Sequence, residues 1–337
     1  MRVAVLVEPR RIELREESAP SPADGAIVVR VRAALTDGTD LKAFRRGHPQ
    51  MPMPTRFGHE FSGDVVATGA GVSAFAVGDA VACVHTAPCG ACAWCLRGEE
   101  ELCEELMPGM LLGAYADAIE VPARVVGRNC FVKPPAISYV EAAFLEPLSC
   151  VVHSLHRSAA SGRVAIIGDG AFGILHALLL HERGAEPILV GRRAERLQLA
   201  RAYGFDPVDA RAGNAADAVR GRTDGFGADA VIECTGTQSA WESAPGFVRR
   251  GGTVALFGGL PSDATVTFAA GRIHYDELRI VSPFHFTPRA VRAAYEILCA
   301  RRFDLVPLVT DAYPLHDIAN AFAQLDAGIG MKACIEP

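Results

Sequence analysis

A glycine-rich turn near the middle of the chain joins an apolar strand pattern to an apolar helix pattern. The turn contains Gly168, Gly170 and Gly173, follows the run RVAIIG and opens the segment AFGILHALLLHERG. Glycines at this spacing allow a tight turn and let a pyrophosphate approach the backbone at the helix N-terminus. Between a strand and a helix the motif therefore predicts a dinucleotide site, and the alternative is an ordinary glycine turn.

The sequence pattern changes after about Pro135. Up to that point, short β-branched runs are broken by Gly, Pro and Asp, which is typical of a β-rich, barrel-like domain. Beyond it, apolar strands alternate with helices, which favours a parallel sheet with helices on both faces. A further helix begins near Thr287 and leads to the strand-like end KACIEP, which we expect to return to the first domain. The predicted α/β chain therefore divides into domains over 1–148 and 149–286 and a returning segment over 287–337.

The strand that follows the glycine motif ends without an acidic residue. Sites that select NAD hold the ribose 2′-hydroxyl with a carboxylate about 20 residues further on, whereas here PILV runs into Gly191, Arg192 and Arg193. Two guanidinium groups suit a 2′-phosphate, because arginine binds phosphate through paired hydrogen bonds. We therefore predict NADP(H) over NAD(H), the alternative being arginines that open a solvated helix. The predicted cofactor-binding residues are Gly168, Gly170, Phe172, Gly173, Gly191, Arg192, Arg193 and Thr235.

Four of the ten cysteines are clustered at the spacing of a metal site. They are Cys89, Cys92, Cys95 and Cys103, in a lobe over about 86–106. Four thiolates can enclose one Zn²⁺ tetrahedrally and leave no open position, so the site would be structural. The alternatives are free or disulfide-bonded cysteines and a zinc ribbon that binds nucleic acid. The glutamates around the cluster would repel phosphate and disfavour the ribbon.

The composition restricts the partners of the chain. The net charge is −6 without a long basic run, and 50% of the residues are apolar while 21% are charged. These values exclude a disordered chain and disfavour nucleic acid or an anionic membrane as the partner. The first residues lack the apolar core of a signal peptide, and no apolar stretch reaches membrane-span length. We expect a cytoplasmic protein that binds a small molecule.

Three short polar segments could together hold a second cation. They are DGTD at 37–40, GHE at 58–60 and EPL at 146–148. Each alone is weak evidence, since GHE is often a turn with a solvated glutamate and Glu146 could be a carboxylate stabilised by the helix dipole. Together they offer one imidazole and several carboxylates, and such a site could leave a position for water or substrate.

The order of these features resembles the zinc-dependent medium-chain dehydrogenase/reductase family over nearly the whole chain. The EPL glutamate, the GTD segment and RIHY at 272–275 are most similar to its sorbitol (polyol) and glucose dehydrogenase branch. The resemblance implies a GroES-like β-barrel catalytic domain, a Rossmann domain, two Zn²⁺ per chain and hydride transfer between a secondary alcohol or ketone and the nicotinamide. It also implies a small polyhydroxylated substrate, and we expect a homodimer or homotetramer.

The resemblance also assigns catalytic roles. It implies that the catalytic zinc ligands are Asp37, His59 and Glu146, with Glu60 beside them as an alternate ligand or as a partner of the bound water. It assigns the transfer of the substrate proton to Thr39. Two positions depart from the family pattern, because Asp37 stands where a cysteine is usual and Lys42 stands at the position of the relay histidine. These departures motivate an alternative, a catalytically inactive NADPH-binding sensor or structural relative.

Polar residues near this site favour a substrate with several hydroxyl groups. They include Asp40, Lys42, Arg45, Arg46 and His48. Such a density of polar groups would be costly to bury against an apolar substrate and useful for binding hydroxyls. The alternative is that 42–48 form a solvated helix end outside the site.

Overall fold

The computed structural model describes every residue from Met1 to Pro337. The strands are β1 (Arg2–Glu8), β2 (Arg11–Glu16), β3 (Ile27–Leu35), β4 (Thr55–Arg56), β5 (Glu60–Thr68), β6 (Ala80–Cys83), β7 (Ala118–Val121), β8 (Cys130–Val132), β9 (Arg163–Ile167), β10 (Glu186–Gly191), β11 (Val208–Asp209), β12 (Ala228–Glu233), β13 (Val248–Leu256), β14 (Arg279–Val281), β15 (Asp311–Pro314) and β16 (Ala333–Glu336).

The α-helices are α1 (Gly38–Arg46), α2 (Ala93–Leu96), α3 (Ala123–Val126), α4 (Tyr139–Ala143), α5 (Leu145–Ser158), α6 (Ala171–Glu182), α7 (Ala194–Ala202), α8 (Ala215–Gly221), α9 (Gln238–Ser243), α10 (Ala270–His274), α11 (Pro288–Ala300) and α12 (Ile318–Asp326). Short 3₁₀ helices cover Glu100–Leu102, Ala244–Phe247, Val306–Leu308 and Leu315–Asp317. None of the helices combines the length and the apolar character needed to cross a bilayer.

Contacts between residues divide the chain into two compact units. The first unit is discontinuous and combines Met1–Ser149 with Phe286–Pro337, and the second comprises Cys150–His285. The chain therefore leaves the first unit, forms the second and then adds its last segment to the first.

The first unit is built around a mostly antiparallel sheet. Its strands follow the order β15-β16-β3-β5-β6-β8, and β7 also pairs with β3. The late strand β16 pairs antiparallel with β3, where Cys334 lies opposite Leu35. The aromatic rings of Phe57, Tyr115 and Phe322 pack together with centroids 5.0–5.9 Å apart. Residues from three distant parts of the sequence thus share one hydrophobic core.

The second unit contains a parallel sheet with the order β11-β10-β9-β12-β13-β14. Counted along the chain within the sheet this order is 3-2-1-4-5-6, and it reverses between β9 and β12. Strand β9 is a continuous apolar run in which Val164, Ala165 and Ile166 are fully buried, as expected of a strand covered on both faces. In such sheets ligands bind beyond the carboxyl ends of the strands at the reversal point, so the glycine motif after β9 lies where a dinucleotide would bind.

Candidate functional site

Asp37 begins helix α1 and faces His59 at the same time. One oxygen of Asp37, Oδ1, accepts a hydrogen bond from the backbone N–H of Asp40 at 2.7 Å and so caps the helix, a role for which aspartate is favoured. Its other oxygen, Oδ2, lies 3.8 Å from His59 Nε2, and the side chain of Asp37 is only 3% exposed. The local helix start therefore aims a buried carboxylate at the imidazole.

A glycine turn before β5 positions His59. Gly58 has φ +90°, and a Cβ there would lie 2.7 Å from the ring of Tyr115. His59 Nδ1 lies 3.1 Å from Asp40 Oδ1, and the hydroxyl of Tyr115 donates to Asp40 Oδ2 at 2.5 Å. When Asp40 accepts the Nδ1 proton, the lone pair of Nε2 points away from Asp40, which is the usual arrangement of a metal-binding histidine and its carboxylate partner.

Glu60 contributes a third buried group beside Asp37 and His59. One ligand atom from each of these residues lies within 4.8 Å of the others. Lys332 donates to Glu60 Oε2 at 2.5 Å and to the carbonyl oxygen of Thr36 at 2.6 Å. The other oxygen, Glu60 Oε1, is fully buried and has no hydrogen-bond partner. A buried acceptor without a donor is costly, and a bound cation would satisfy it.

His85 and Glu146 form a second group around the same imidazole. Ligand atoms of His59, His85 and Glu146 lie within 4.8 Å of one another, and His85 Nδ1 is 3.5 Å from Glu146 Oε1. Glu146 lies in the first turn of α5, and His85 follows β6 by two residues. Sequence reasoning did not select His85, although a histidine just after a predicted strand was the available signal.

The charges of this cluster favour a cation. Burial alone would lower the pKa of His59, but the carboxylates of Asp40 and Asp37 outweigh it and hold that pKa well above its usual value. Burial raises the pKa of Glu60 well above its usual range, although Lys332 opposes the rise. The raised pKa of His59 reflects the negative charge of the carboxylates around it, whereas the raised pKa of Glu60 reflects mainly its burial. Nitrogen and carboxylate donors around such a charge fit Zn²⁺ or another divalent metal.

Thr39 and Lys42 both lie on α1, next to the Asp37 cap. They are three residues apart and therefore on one face of the helix, and both are partly buried. Arg45 instead donates to Asp326 at 2.5 Å on the surface, and Arg46 is exposed. The end of α1 is thus solvated at Arg45 and Arg46, and neither arginine contributes to the polarity of the cluster.

The four clustered cysteines come together as their spacing predicts. Their sulfur atoms lie within 4.8 Å of one another. Backbone N–H groups point at the sulfurs, for example from Gly90 to Cys95 Sγ at 3.3 Å and from Cys92 to Cys89 Sγ at 3.3 Å. Such donors stabilise thiolates. Four sulfurs within reach of one centre fit a closed tetrahedral Zn²⁺ site.

The glycine motif has the geometry of a phosphate-binding turn. Gly168 has φ +125°, and a Cβ at Gly173 would lie 1.9 Å from the carbonyl oxygen of Gly168. Gly170 precedes α6 and provides no side-chain cap, so no side chain occupies the first N–H groups of a twelve-residue helix. The ring of Phe172 packs on Phe257 with centroids 5.0 Å apart.

The remaining predicted cofactor residues follow the neighbouring strands. Gly191 is the last residue of β10, and Arg192 and Arg193 form the turn before α7. Thr235 follows β12, and its backbone N–H donates to Glu233 Oε1 at 2.6 Å. In β12, the residue Glu233 pairs with Ile167 of β9. These residues therefore surround the carboxyl ends of β10, β9 and β12.

Family models and known relatives agree with one another and together cover nearly the whole chain. Residues 23–130 match the alcohol dehydrogenase GroES-like domain, and residues 171–299 match the zinc-binding dehydrogenase domain. The sorbitol dehydrogenase of Bacillus subtilis is 30% identical over 95% of this chain and 92% of its own length. The L-threonine 3-dehydrogenase of Pyrococcus horikoshii is 30% identical over 94% and 92%.

A solved structure shows the same fold. The zinc-binding dehydrogenase from Sinorhizobium meliloti, bound to NADP, superposes with a TM-score of 0.91 at 29% identity and covers 100% of this chain and 99% of its own. The predicted fold class, a GroES-like domain with a Rossmann parallel-sheet domain, is confirmed.

Proposed function

Because the chain belongs to the zinc-binding dehydrogenases with an alcohol dehydrogenase GroES-like domain, a family of oxidoreductases, we propose that it interconverts a secondary alcohol and the corresponding ketone on a polyol, sugar or cyclitol. The observation that carries this proposal is the buried cluster in which His59 lies between carboxylates. Similarity to a sorbitol dehydrogenase over nearly the full length supports the substrate class.

We assign the catalytic metal to His59, Asp37 and Glu146; ligand atoms of Asp37, His59 and Glu60 form one group and those of His59, His85 and Glu146 form another, with His59 common to both. A zinc ion held there supplies Lewis acidity toward the substrate oxygen. Aspartate in place of cysteine keeps the ligand charge at −1, but it is a harder donor, so the metal is held less tightly and less exclusively as zinc. The carboxylate of Asp37 keeps an anionic donor in place of the usual thiolate, which supports an active enzyme over the alternative of an inactive relative.

The other residues of α1 and of the buried hydrogen-bond network orient the metal ligands and transfer the substrate proton. Asp40 holds the proton on His59 Nδ1, which leaves the lone pair of Nε2 available to bind the metal. Lys332 holds Glu60 Oε2 through a buried ion pair. We assign the transfer of the substrate proton to Thr39, and Lys42, three residues further along α1, stands at the position of the usual relay histidine. Hydride transfer itself is the chemistry of the nicotinamide.

We assign NADP(H) as the cofactor, with Arg192 and Arg193 at the 2′-phosphate. The absence of a carboxylate at the end of β10 supports this assignment, and so does the NADP bound by the similar Sinorhizobium meliloti protein. We assign a second, structural Zn²⁺ to Cys89, Cys92, Cys95 and Cys103. We further propose that the unit Cys150–His285 binds the cofactor, that the remainder carries the catalytic metal, and that the chain assembles as a homodimer or homotetramer.

The test is a substrate panel followed by NADPH absorbance, with metal content measured on the same preparation. The panel contains sorbitol, xylitol, myo-inositol, an aldose, L-threonine, ethanol and benzyl alcohol. We expect the highest kcat/KM for a polyol, sugar or cyclitol. Faster turnover of ethanol or benzyl alcohol than of every polyhydroxylated compound would refute the substrate class. A preference for L-threonine would instead favour the activity named for the Pyrococcus horikoshii relative.

A further inference from the structure

Asp169, the residue between the first two glycines of the motif, reaches across to the next strand. Its Oδ2 accepts hydrogen bonds from the backbone N–H groups of Arg192 at 2.6 Å and Arg193 at 2.8 Å. Asp169 is only 9% exposed. A carboxylate that accepts two backbone N–H groups is held strongly, so Asp169 fixes the conformation of the turn that carries both arginines.

The side chain of Asp169 also fills the space beside Gly191. A Cβ on Gly191 would lie 2.5 Å from Asp169 Cβ, 2.6 Å from Asp169 Oδ2 and 2.8 Å from Leu197 Cδ2. Atoms do not approach that closely without displacement of the backbone. Position 191 is the strand end at which NAD-selective sites carry their ribose-binding carboxylate. Asp169, together with the flexible end of Leu197, therefore leaves no room for a side chain at the strand end.

A third guanidinium group lies on the far side of Asp169. Arg196 Nη1 is 3.8 Å from Asp169 Oδ1, and the side chain of Arg196 is 21% exposed. A Cβ on Gly170 would lie 3.8 Å from the same nitrogen, so Arg196 lies against the glycine motif. Burial and then the like charge of Arg193 hold the pKa of Arg196 below its usual value. A phosphate dianion beside these arginines would relieve this repulsion.

We propose that Asp169 and Arg196 determine the preference for a 2′-phosphorylated cofactor, an inference that rests on the proposed use of NADP(H). Asp169 is a positioning residue that orients the Arg192–Arg193 turn and prevents a carboxylate from occupying the end of β10. Arg196 is the third cation of the phosphate site. Asp169 stands between two glycines of the motif without being one of them, and Arg196 lies against Gly170; neither is a glycine that the phosphate-binding turn itself requires.

The experiment measures Kd for NADP⁺ and NAD⁺, the KM and kcat for each, and Tm. The variants are Asp169→Asn, Arg196→Gln, Asp169→Gly, Gly191→Asp and the double variant Asp169→Gly with Gly191→Asp. Asp169→Asn keeps the shape and weakens the acceptor, so KM for NADP⁺ should rise about tenfold at unchanged kcat, with NAD⁺ little affected. Arg196→Gln should raise the Kd for NADP⁺ about tenfold and leave the Kd for NAD⁺ unchanged.

The double variant tests the mutual exclusion directly. In the wild-type background, Gly191→Asp should lower Tm and weaken the binding of both cofactors. In the Asp169→Gly background the same substitution should lower Tm by less, and the double variant should bind NAD⁺ more tightly than NADP⁺. If the wild type prefers NAD⁺ or uses both cofactors equally, the proposed NADP(H) use fails. If the wild type prefers NADP⁺ but Arg196→Gln and Asp169→Asn keep that preference and the Tm effects are additive, this inference alone is overturned.

Discussion

Asp40 connects the hydrophobic core of the first unit to the candidate metal cluster through one carboxylate. One of its oxygens meets His59 Nδ1 and the other accepts the hydroxyl of Tyr115, whose ring packs against Phe57 and Phe322. Asp40 is completely buried. The orientation of the imidazole therefore depends, through Tyr115 and Asp40, on the packing of the aromatic core.

We predict that Asp40→Asn lowers the affinity for the catalytic metal without unfolding the protein. The amide keeps the shape but holds the Nδ1 proton of His59 less strongly, and losses of about 10–100-fold in metal affinity are typical for such partners. Competition with a chromogenic chelator measures this affinity, and circular dichroism checks the fold. Tyr115→Phe keeps the ring and the carboxylate, so it should lose less. Unchanged metal affinity in Asp40→Asn would contradict the assigned role.

A second prediction concerns Arg192 and Arg193. Replacing both with alanine removes charge-assisted hydrogen bonds to the 2′-phosphate, each worth about 1.5–3 kcal/mol when well formed. We expect the KM for NADP⁺ to rise at least tenfold and the KM for NAD⁺ to change little. The exposed pair Arg301 and Arg302, on the other unit, provides the matched control. Equal catalytic efficiency of the wild type with both cofactors would refute the prediction.

Features set by local spacing were within reach of sequence reasoning, and long-range pairings were not. The cysteines lie within fifteen residues of chain from Cys89 to Cys103, so chain length alone brings them together. Lys332 pairs with Glu60 across 272 residues. His85 likewise lies 3.5 Å from Glu146, which is distant from it in the sequence. The contact of Asp169 with the turn after β10 depends in the same way on the register of two parallel strands, which no motif encodes.

Strand β1 is anchored to the segment before β7 by a side-chain pair. Asp117 Oδ2 accepts from the backbone N–H of Arg2 at 2.5 Å, and Arg2 Nη2 donates to Asp117 Oδ1 at 2.6 Å. Burial would raise the pKa of Asp117, but the hydrogen bonds from Arg2 hold it below its usual value. The ion pair is partly exposed, so its contribution to stability is modest.

We predict a pH-dependent loss of stability in Asp117→Asn. A depressed pKa in the folded state stabilises the protein above the unfolded pKa of about 4, and this stabilisation is lost as the pH falls through the folded value. At pH 7 the Tm of the variant should lie about 2 °C below that of the wild type. This difference in Tm should become smaller below about pH 4. Asp263→Asn, at an exposed position, should show no such trend. A constant difference at all pH values would contradict the linkage.

The two proposed metal sites of the chain differ in character. The cysteine site would enclose a metal with four sulfurs, whereas the cluster around His59 would supply oxygen and nitrogen donors. Hard, open sites exchange ligands with water more readily than closed thiolate sites. We therefore expect two metal equivalents per chain, of which mild chelation removes one together with activity.

The measurement is metal content and activity in parallel after dialysis against increasing chelator. Added Zn²⁺ should restore both in the same proportion. Cys92→Ser provides the comparison, because it should lose the resistant equivalent and lower Tm. A single equivalent that survives chelation with full activity would contradict the assignment of the labile metal to His59 and its neighbours.

The discontinuity of the first unit has a consequence for the newborn chain. Strand β16 pairs with β3, and Lys332, just before it, neutralises buried Glu60. Domains fold as units during synthesis, yet this unit lacks β16 and its buried cation until residues 332–336 have left the ribosome. The unit Cys150–His285, although translated later than the start of the barrel, is complete first. The sheet of the first unit must therefore keep an open edge beside β3, and Glu60 must remain without its cation, until Lys332 and β16 have been synthesised.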